Sequence, residues 1–492
     1  RDVMQDLDDL NAVVAHQLPI IAIESYEEAR ALELLTRLAI KRTMSMYHWT
    51  LSDGLKRSQF GEEPDSENTK KPLEVLRYIK QTAPAGLYVL CDMHPFLEEP
   101  SVVRLLKDIA LSHDVTPKTV VLLSYKVDIP QEISRLAARF SFKLPGDTQL
   151  MKLVQDEARA WGRETRQRVK TDAATLKQLI QHLKGVTISD ARRLIRGAIA
   201  DDNAITESDL PQINKAKFEL MDMDSVLAYE YQTAQFNEVA GLKHLKQWLD
   251  IRQDAFLQED AKLRPKGLLL LGVQGSGKSL AAKAIAGSWH LPLLRLDMGA
   301  MYNKFFGETE RNLRDALALA DMMSPCVLWL DEIEKGLGTD SNDNGVSQRI
   351  LGTLLTWMSE REKPVFMVAT ANDIQKMPPE LVRKGRFDEV FFVDLPKDNV
   401  RQDIFKIHLN KRDINPDSLD LSACVLFSEG FSGAEIEQAV VSAIHVAQAQ
   451  KSEVNADFIV DELNRTQPLS VLMGEKLDDL RHWAQDRTVL AD

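Results

Sequence analysis

The chain has 492 residues, enough for several domains, and its 44% hydrophobic and 27% charged content is that of a globular protein. A formal net charge of −13 argues against a broad nucleic-acid-binding surface, so no nucleic-acid partner is expected. No apolar run is long enough to span a membrane. The three widely spaced cysteines form no metal-binding pattern, which favours a reducing compartment, the cytoplasm.

Apolar runs alternate with helical segments through the N-terminal part of the chain. Residues 19–23 are predicted to form a strand and residues 27–41 a helix, and further strands are predicted at 46–51, 87–92 and 120–123. Alternating strands and helices are typical of βαβ units around a parallel sheet. The sequence therefore predicts an N-terminal α/β domain.

Residues 272–279 read GVQGSGKS, a complete match to the phosphate-binding pattern GxxxxGK[ST]. A predicted strand precedes the pattern and a predicted helix follows it. In that context Lys278 reaches the β- and γ-phosphates and the Ser279 hydroxyl ligates Mg²⁺. The pattern predicts a nucleoside triphosphate site, whereas a turn whose glycines serve backbone geometry alone is the alternative. The expected cofactor-binding residues of this loop are Gly272, Gln274, Gly275, Ser276, Gly277, Lys278, Ser279 and Leu280.

A second apolar strand, predicted at 327–330, ends in Asp331 and Glu332. Asp331 is placed to hold the Mg²⁺ shell, and Glu332 to orient and deprotonate the attacking water. An acidic pair after a strand is also common as solvated turn charge. The position of this acidic pair downstream of the glycine-rich loop favours the catalytic interpretation over solvated turn charge.

Two later segments resemble motifs of the AAA ATPases. Residues 365–372, VFMVATAN, resemble the strand that ends in the sensor-1 asparagine, which is Asn372 in this chain. Residues 430–435, GFSGAE, resemble the sensor-2 segment. That resemblance implies that the small residues Gly433 and Ala434 pack beside the nucleotide.

The resemblance extends to the residues expected around the base. Residues 236–241, FNEVAG, resemble the entry segment that contacts adenine, which implies roles for Ala240 and Gly241. His408 falls where the family often has a base-contacting histidine. The resemblance covers the C-terminal half of the chain and implies ATP and Mg²⁺ as cofactors.

Residues 381–388, LVRKGRFD, resemble the region of the family that carries its two arginine fingers, which are Arg383 and Arg386 here. Such an arginine stabilises charge on a transferring phosphoryl group and accelerates hydrolysis by ~10³-fold or more. In AAA rings it comes from the neighbouring subunit, so the resemblance implies a homo-oligomer, expected to be a hexamer. The alternative is that both arginines pair with local acids such as Asp388 and Glu389.

Residues 303–310 resemble the pore-1 loop of AAA rings, with Phe305, Phe306 and Gly307 as the aromatic–hydrophobic–glycine triplet. Two adjacent phenylalanines in a polar loop are costly on a surface unless they pack or grip something. The resemblance implies that they face a central channel and hold an extended polypeptide, an unidentified protein substrate. Anchoring of one phenylalanine against the core is the alternative.

The N-terminal half resembles a second copy of the same module that has lost its chemistry. Residues 140–145 parallel 390–396, and residues 185–190 parallel 430–435, at nearly equal separations. An unrelated α/β domain is the alternative.

The site of this first copy lacks what phosphate binding needs. Where a phosphate loop would follow the first strand, residues 24–28 read ESYEE, without glycine or lysine. Asp92 is expected at the metal-ligand position, with Met93 in place of the catalytic glutamate. The first copy is therefore expected not to bind ATP.

The whole arrangement resembles an AAA family encoded as a hypothetical open reading frame in algal chloroplast genomes, with relatives in cyanobacteria and other bacteria. The residues that carry this resemblance are 272–279, 291–297, 324–332, 468–470 and 481–484. If the chain is organellar, the resemblance implies the plastid stroma. The resemblance implies an α/β fold in which a P-loop NTPase AAA+ module, with a parallel sheet and a helical lid, follows a degenerate AAA-like α/β module. The implied domains are a degenerate RecA-like domain at 1–146, a helical lid-like region at 147–222, the large ATPase subdomain at 223–398, and the lid with a C-terminal extension at 399–492.

Two functions are compatible with these patterns. The first is an ATP-hydrolysing ring or spiral that remodels or unfolds a protein partner. The second is a nucleotide-gated assembly or regulatory protein with slow turnover and no threading. The phenylalanine pair favours the first function, and the inert N-terminal half leaves the second open.

Overall fold

The computed structural model describes residues 2–59, 61–221, 226–258, 260–299, 301, 308–337, 345–383 and 385–492. These residues divide into two compact units, Arg1–Leu144 and Pro145–Asp492. Each unit contains a largely parallel sheet that is covered by helices on both faces.

The first unit alternates strands and helices, as its apolar runs predict. In chain order its elements are α1 (Asp2–Ala15), β1 (Ile20–Glu24), α2 (Glu28–Arg42), β2 (Met46–Thr50), β3 (Gly54–Arg57), α3 (Pro72–Gln81), β4 (Gly86–Cys91), α4 (Pro100–Leu111), β5 (Lys118–Ser124) and β6 (Ala137–Phe140).

Both faces of the first sheet are buried, which explains why its strands are continuous apolar runs. Along β1, Ile20 and Ala22 join one hydrophobic cluster with α3 and α4. Ile21 and Ile23 join the other cluster, with α1 and α2, because successive side chains of a strand point to opposite faces. The sheet order is β3-β2-β4-β5-β1-β6, and every neighbouring pair is parallel except β2 with β3.

The second unit begins with a helical region that has its own hydrophobic cluster. Its elements are α5 (Asp147–Thr165), β7 (Lys170–Thr171), α6 (Ala173–Leu183), α7 (Ile188–Asp202), β8 (Ala204–Ile205) and α8 (Leu210–Met221). From α8, Phe218 contributes instead to the core of the sheet that follows, where its ring lies 5.4 Å from that of Tyr229. The helical region is thus packed on the second sheet.

The elements of the second sheet and its covering helices follow the helical region. They are β9 (Leu227–Glu230), α9 (Lys243–Leu257), β10 (Gly267–Leu271), α10 (Lys278–Ser288), β11 (Leu293–Asp297), α11 (Glu308–Met322), β12 (Cys326–Asp331), α12 (Ile333–Leu337), α13 (Val346–Glu360), β13 (Val365–Ala371) and β14 (Glu389–Phe392).

A small helical bundle and an extension complete the chain. Their elements are α14 (Asp398–Asn410), α15 (Ser422–Phe427), α16 (Gly433–Ala449), α17 (Ala456–Arg465), α18 (Leu469–Leu472), α19 (Gly474–Ala484) and β15 (Val489–Leu490). The bundle α14–α17 has a separate hydrophobic cluster, whereas α19 packs on the face of the sheet that α11 and α13 also cover.

The two sheets share one strand order. The second sheet reads β15-β14-β10-β13-β12-β11-β9, parallel throughout except for β9 against β11. If the five central parallel strands of each sheet are numbered along the chain, both sheets have the order 2-3-4-1-5. The predicted α/β fold, with two modules of one architecture, is therefore confirmed.

Within the described ranges, no helix combines the length and the apolar content that crossing a membrane requires.

Candidate functional site

The loop between β10 and α10 depends on three glycines. Gly275 and Gly277 have φ angles of +84° and +103°, a conformation that residues with a side chain rarely adopt. A Cβ atom on Gly272 would lie 2.5 Å from the carbonyl oxygen of Val393, so a side chain has no room there. Loops of this kind present bare backbone to phosphate groups at a helix N-terminus.

Lys278 is buried at the first turn of α10, with an exposed fraction of 6%. Its Nζ donates to the carbonyl oxygens of Gly272 at 2.6 Å and Val273 at 2.8 Å. Burial lowers the pKa of Lys278 to about 8, and nearby carboxylates oppose that shift. The ammonium is therefore poorly solvated and held by its own loop, where phosphate oxygens would be stronger acceptors.

Asp331, the last residue of β12, is fixed by two donors. Its Oδ2 accepts from Arg295 Nη2 at 2.6 Å, and its Oδ1 accepts from Thr370 Oγ1 at 3.0 Å. The Arg295 guanidinium also lies 4.9 Å from the centre of the Trp329 ring. These contacts hold the carboxylate in one orientation, and the strand pattern identified neither donor.

Glu332 follows directly and has a φ of +50°, which breaks the strand direction at this residue. Its Oε2 accepts from Lys335 Nζ at 2.6 Å, and its Oε1 lies 3.4 Å from Asn372 Nδ2. The expected general base and the expected sensor-1 asparagine are thus in contact.

Glu334 is a site residue that the motif analysis missed. Its exposed fraction is 5%, and its Oε1 accepts from the backbone N–H of Asn372 at 3.0 Å. Burial raises the pKa of Glu334, and its Oε2 has no hydrogen-bond partner among the described residues. The signal in the sequence was a third carboxylate two positions after Glu332, which an acidic-pair pattern does not include.

A cavity of about 1410 Å³ brings most of the predicted residues together. It is lined by Ala240, Gln274, Gly275, Ser276, Gly277, Lys278, Ser279, Leu280, Asp331, Glu332, Asn372, His408, Gly433 and Ala434. Gly241, Gly272, Arg383 and Arg386 do not line it. The expected pore residues Phe305, Phe306 and Gly307 lie outside the described residues.

The N-terminus of α16 packs against the glycine-rich loop. A Cβ atom on Gly275 would lie 3.4 Å from Ser432 Oγ and 3.9 Å from Ala434 Cβ. Ser432 and Glu435 form a reciprocal capping box, in which each side chain accepts from the backbone N–H of the other. This cap fixes the first turn of α16, which contains Gly433 and Ala434, the small residues expected to pack beside the nucleotide.

His408, on α14, lies on the same cavity wall and is mostly buried. Burial lowers its pKa, and its Nδ1 is 3.9 Å from Glu437 Oε1. A neutral imidazole at this position can exchange hydrogen bonds with a base.

Arg383 and Arg386 lie between β13 and β14. Neither guanidinium has a carboxylate within 4 Å in the described part of the chain, so pairing with Asp388 or Glu389 is not observed. The Asp388 carboxylate instead accepts from the backbone N–H groups of Lys266 and Gly267, at 2.5 and 2.9 Å. The local-acid alternative therefore has no support in the structure.

In the first unit, the described residues between β1 and α2 form no comparable phosphate loop. Its β1 ends at Glu24 and α2 begins at Glu28. The Glu24 carboxylate accepts from the Val127 N–H and from Arg139 Nη1, both at 3.0 Å. An anionic group therefore occupies the end of the strand where the second unit has its glycines.

The prediction that Asp92 lies at the metal-ligand position of the first unit is wrong by one residue. Asp92 is the first residue after β4 and has a φ of +56°, which matches Glu332 after β12. The backbone therefore assigns Asp92 to the glutamate position and Cys91 to the position of Asp331, one residue away from the expectation. Burial raises the pKa of the Cys91 thiol, and a neutral thiol is a poor ligand for Mg²⁺.

The residues of the second unit fit Mg²⁺ bound with a nucleotide. Ser279 and Asp331 bring a hydroxyl and a carboxylate to one cavity. Mg²⁺ prefers such hard oxygen ligands, completed by phosphate oxygens and water.

The fold and the site define a P-loop ATPase domain of the AAA type. Residues 268–395 match the family described as "ATPase family associated with various cellular activities (AAA)". Residues 6–142 and 148–224 match the N-terminal and second domains of SpoVK-like AAA ATPases.

Individual relatives extend the match to nearly the whole chain. The chain is 35% identical to the AAA domain-containing protein ycf46 of Guillardia theta, over 98% of this chain and 95% of that protein. Identity to ycf46 of Trieres chinensis is 34%, over 97% and 96%. The ATP-dependent zinc metalloprotease FtsH of Cyanidium caldarium is 33% identical, over 50% of this chain and 42% of that protein. The chain belongs to the ycf46 family of AAA domain-containing proteins, which confirms the predicted family.

Proposed function

We propose that this protein binds ATP with Mg²⁺ in the cavity of its second unit and hydrolyses it to ADP and phosphate. The observation that carries the proposal is the contact of Glu332 with Asn372 on the wall of the cavity that the glycine-rich loop also lines. A hydrolytic site needs such a base, held beside the groups that bind the phosphates.

Each side chain has a distinct role in this proposal. Lys278 turns from the carbonyls of its own loop to the β- and γ-phosphates. Ser279 and Asp331 would hold Mg²⁺, which when bound would neutralise charge on the phosphates. Glu332 orients the attacking water and takes its proton, and Asn372 fixes the position of Glu332 and of that water.

The proposed active form is an oligomer in which Arg386, and secondarily Arg383, reaches the nucleotide of a neighbouring copy. Two observations support this arrangement. Both arginines lie outside the cavity of their own chain, and neither is paired with a carboxylate among the described residues. A guanidinium that is free of local partners is available to another subunit. We propose a hexamer on the analogy of AAA rings.

The proposed work of the oligomer is to remodel or unfold a protein partner. It is supported by membership of the AAA family and by the pair Phe305 and Phe306. The FtsH relative is a zinc metalloprotease by name, and we propose no proteolytic activity for this chain. Gating of an assembly by nucleotide, with slow turnover, is the competing function because the first unit lacks a phosphate loop.

We also propose the division of the chain into 1–146, 147–222, 223–398 and 399–492. A reducing compartment, the cytoplasm or a plastid stroma, is proposed because all three cysteines are free and buried.

Two measurements on the same variant test the catalytic proposal: the rate of phosphate release and the affinity for a fluorescent ATP analogue. Glu332→Gln should bind the analogue like the parent and release phosphate at least ~100-fold more slowly, because the amide cannot accept the proton. Glu380→Gln, at an exposed carboxylate outside the cavity, is the matched control. Parental turnover in Glu332→Gln would reject the assignment of the base.

Remodelling is tested with casein as an unfolded polypeptide. Casein should stimulate phosphate release by the parent oligomer, and Phe305→Ala should lose the stimulation while keeping the basal rate. If casein does not change the rate of phosphate release by active oligomers, the nucleotide-gated alternative is favoured.

A further inference from the structure

Residues 489–492 are attached to the edge of the second sheet. The short strand β15 runs parallel to β14, with Val489 opposite Phe391 and Leu490 opposite Phe392. The pairing continues where the Ala491 N–H donates to the carbonyl oxygen of Phe392 at 3.0 Å. Ala491 is 1% exposed and belongs to the hydrophobic cluster on one face of the sheet.

The other edge of the same segment is bonded to the first turn of α9. The Ala491 carbonyl oxygen accepts from the Leu245 N–H at 3.0 Å, and the Leu490 carbonyl oxygen lies 3.2 Å from His244 Nδ1. The Lys243 N–H donates to Asp492 Oδ1 at 3.4 Å. A two-residue strand would ordinarily fray, but here both of its edges are held.

Only Leu242 separates this first turn of α9 from Ala240 and Gly241, the residues expected to contact the base. Gly241 has a φ of +69°, and a Cβ atom there would lie 2.9 Å from Val400 Cγ1 and 3.5 Å from Asp492 Oδ1. The backbone at Gly241 is therefore confined between α14 and the 489–492 segment. Leu490, Ala491 and Asp492 also line the cavity that contains Ala240 and Lys278.

A second attachment holds the helix that leads into this segment. Arg481, on α19, forms a bidentate ion pair with Asp394, which lies just after β14. Arg481 Nε lies 3.0 and 3.1 Å from the two carboxylate oxygens, and Arg481 Nη2 lies 2.9 Å from Oδ1. Paired arginine–carboxylate bonds of this kind fix orientation as well as distance.

We propose that residues 489–492 form a wall of the nucleotide site and position the backbone of Ala240 and Gly241 for a purine base, with Asp492 as the positioning residue. The inference rests on the proposed ATP binding. The base-dependent part of the affinity depends on this segment, whereas the triphosphate-dependent part depends on Lys278 and its loop.

The test uses the full chain and two competitors of a fluorescent ATP analogue: ATP and inorganic tripolyphosphate, each with Mg²⁺. Asp492→Ala should weaken ATP about 5- to 10-fold, the effect of a lost hydrogen bond to a backbone N–H. Tripolyphosphate, which has no base, should compete equally with the variant and the parent. Asp492→Asn keeps an acceptor oxygen and should restore ATP affinity to near the parental value.

Asp486→Ala removes an exposed carboxylate outside the cavity and serves as the matched control. A variant that lacks residues 489–492 should repeat the Asp492→Ala result with a larger loss. Unchanged ATP affinity in both variants overturns the inference. An equal loss for ATP and tripolyphosphate also overturns it, because the defect would then lie in the phosphate loop or the overall fold. A parent that binds neither competitor refutes the proposed function instead.

Discussion

At the scale of single residues, the site is characterised by charges that are buried and held in place. Burial lowers the pKa of Lys278 to about 8. Asp331 accepts a hydrogen bond from Thr370 on β13, and Glu334 accepts one from the backbone N–H of Asn372 directly after β13. Charges that are already oriented cost little further reorganisation when a charged ligand arrives.

The pKa of Lys278 gives a pH prediction. Below about pH 8 the Lys278 amine is already protonated before ATP binds. Above about pH 8 the amine must take up a proton when ATP binds, because phosphate oxygens favour its charged form. ATP affinity should therefore fall, approaching ~10-fold per pH unit above about pH 8. Calorimetric titration in two buffers of different ionisation enthalpy should detect that proton uptake. Lys476→Ala, at an exposed lysine, should keep the same profile, whereas a flat profile up to about pH 9 would contradict the buried-ammonium account.

Glu334 gives a second prediction at this scale. Its carboxylate accepts from the backbone N–H of Asn372, and Asn372 contacts Glu332, so Glu334 acts on the base through its neighbour. Glu334→Ala should lower kcat about 10- to 100-fold, as loss of a supporting hydrogen bond does at other sites, with little change in KM. Glu334→Gln keeps an acceptor oxygen and should recover most of the rate. Equal rates for parent and Glu334→Ala would remove this role.

At the scale of elements, the two units share one strand order, but the residues at the end of their first strands differ in charge and conformation. After β10 the chain forms a glycine-rich loop and a helix that begins with a lysine. After β1 it places Glu24, which is already engaged by Arg139. A carboxylate at that position repels phosphate, so the first unit retains the strand order while the end of its β1 disfavours an anion.

This contrast predicts one ATP per chain. The parent should bind a single equivalent of ATP, and Lys278→Ala should bind none, because the first unit provides no second cradle. Equilibrium titration with a fluorescent ATP analogue on the full chain measures both values. Two equivalents in the parent, or residual binding in Lys278→Ala at similar affinity, would show that the first unit binds nucleotide after all.

At the scale of the whole molecule, the cavity of a single copy is lined by the glycine-rich loop and by Glu332, the proposed base, but not by Arg386. If Arg386 acts on a neighbouring copy, specific activity should rise with protein concentration. Arg386→Ala should lower phosphate release while leaving ATP affinity nearly unchanged. Analytical ultracentrifugation alongside the activity assay would relate the rate to the assembled fraction.

Mixing two inactive variants separates a role in trans from a structural one. Arg386→Ala keeps its phosphate loop, and Lys278→Ala keeps its arginine, so mixed assemblies should regain part of the parental rate. Recovery should be partial because only interfaces with the intact loop facing the intact arginine are active. The absence of recovery in assemblies shown to be mixed would assign Arg386 a role within its own chain.

Local patterns were sufficient for much of the fold and of the site. The glycine-rich loop, the strand that ends in Asp331 and Glu332, and the sensor segments are contiguous in sequence, so each could be recognised without knowing its neighbours. The alternation of buried strands and helices predicted both α/β modules, because sheets covered on two faces need continuous apolar strands. The one-residue error at Asp92 arose because an acidic residue after a strand does not by itself reveal where the chain turns.

The sequence by itself determined the family, the two α/β modules and most of the predicted residues that meet in the cavity, since each of these depends on short patterns. Only the tertiary structure decided that Arg295 and Thr370 hold Asp331, that Glu334 holds Asn372, and that Asp388 accepts from the backbone of Lys266 and Gly267. It alone also brought residues 489–492 next to Gly241. These contacts join residues far apart in the chain, and they follow from the order of the strands, which no local pattern encodes.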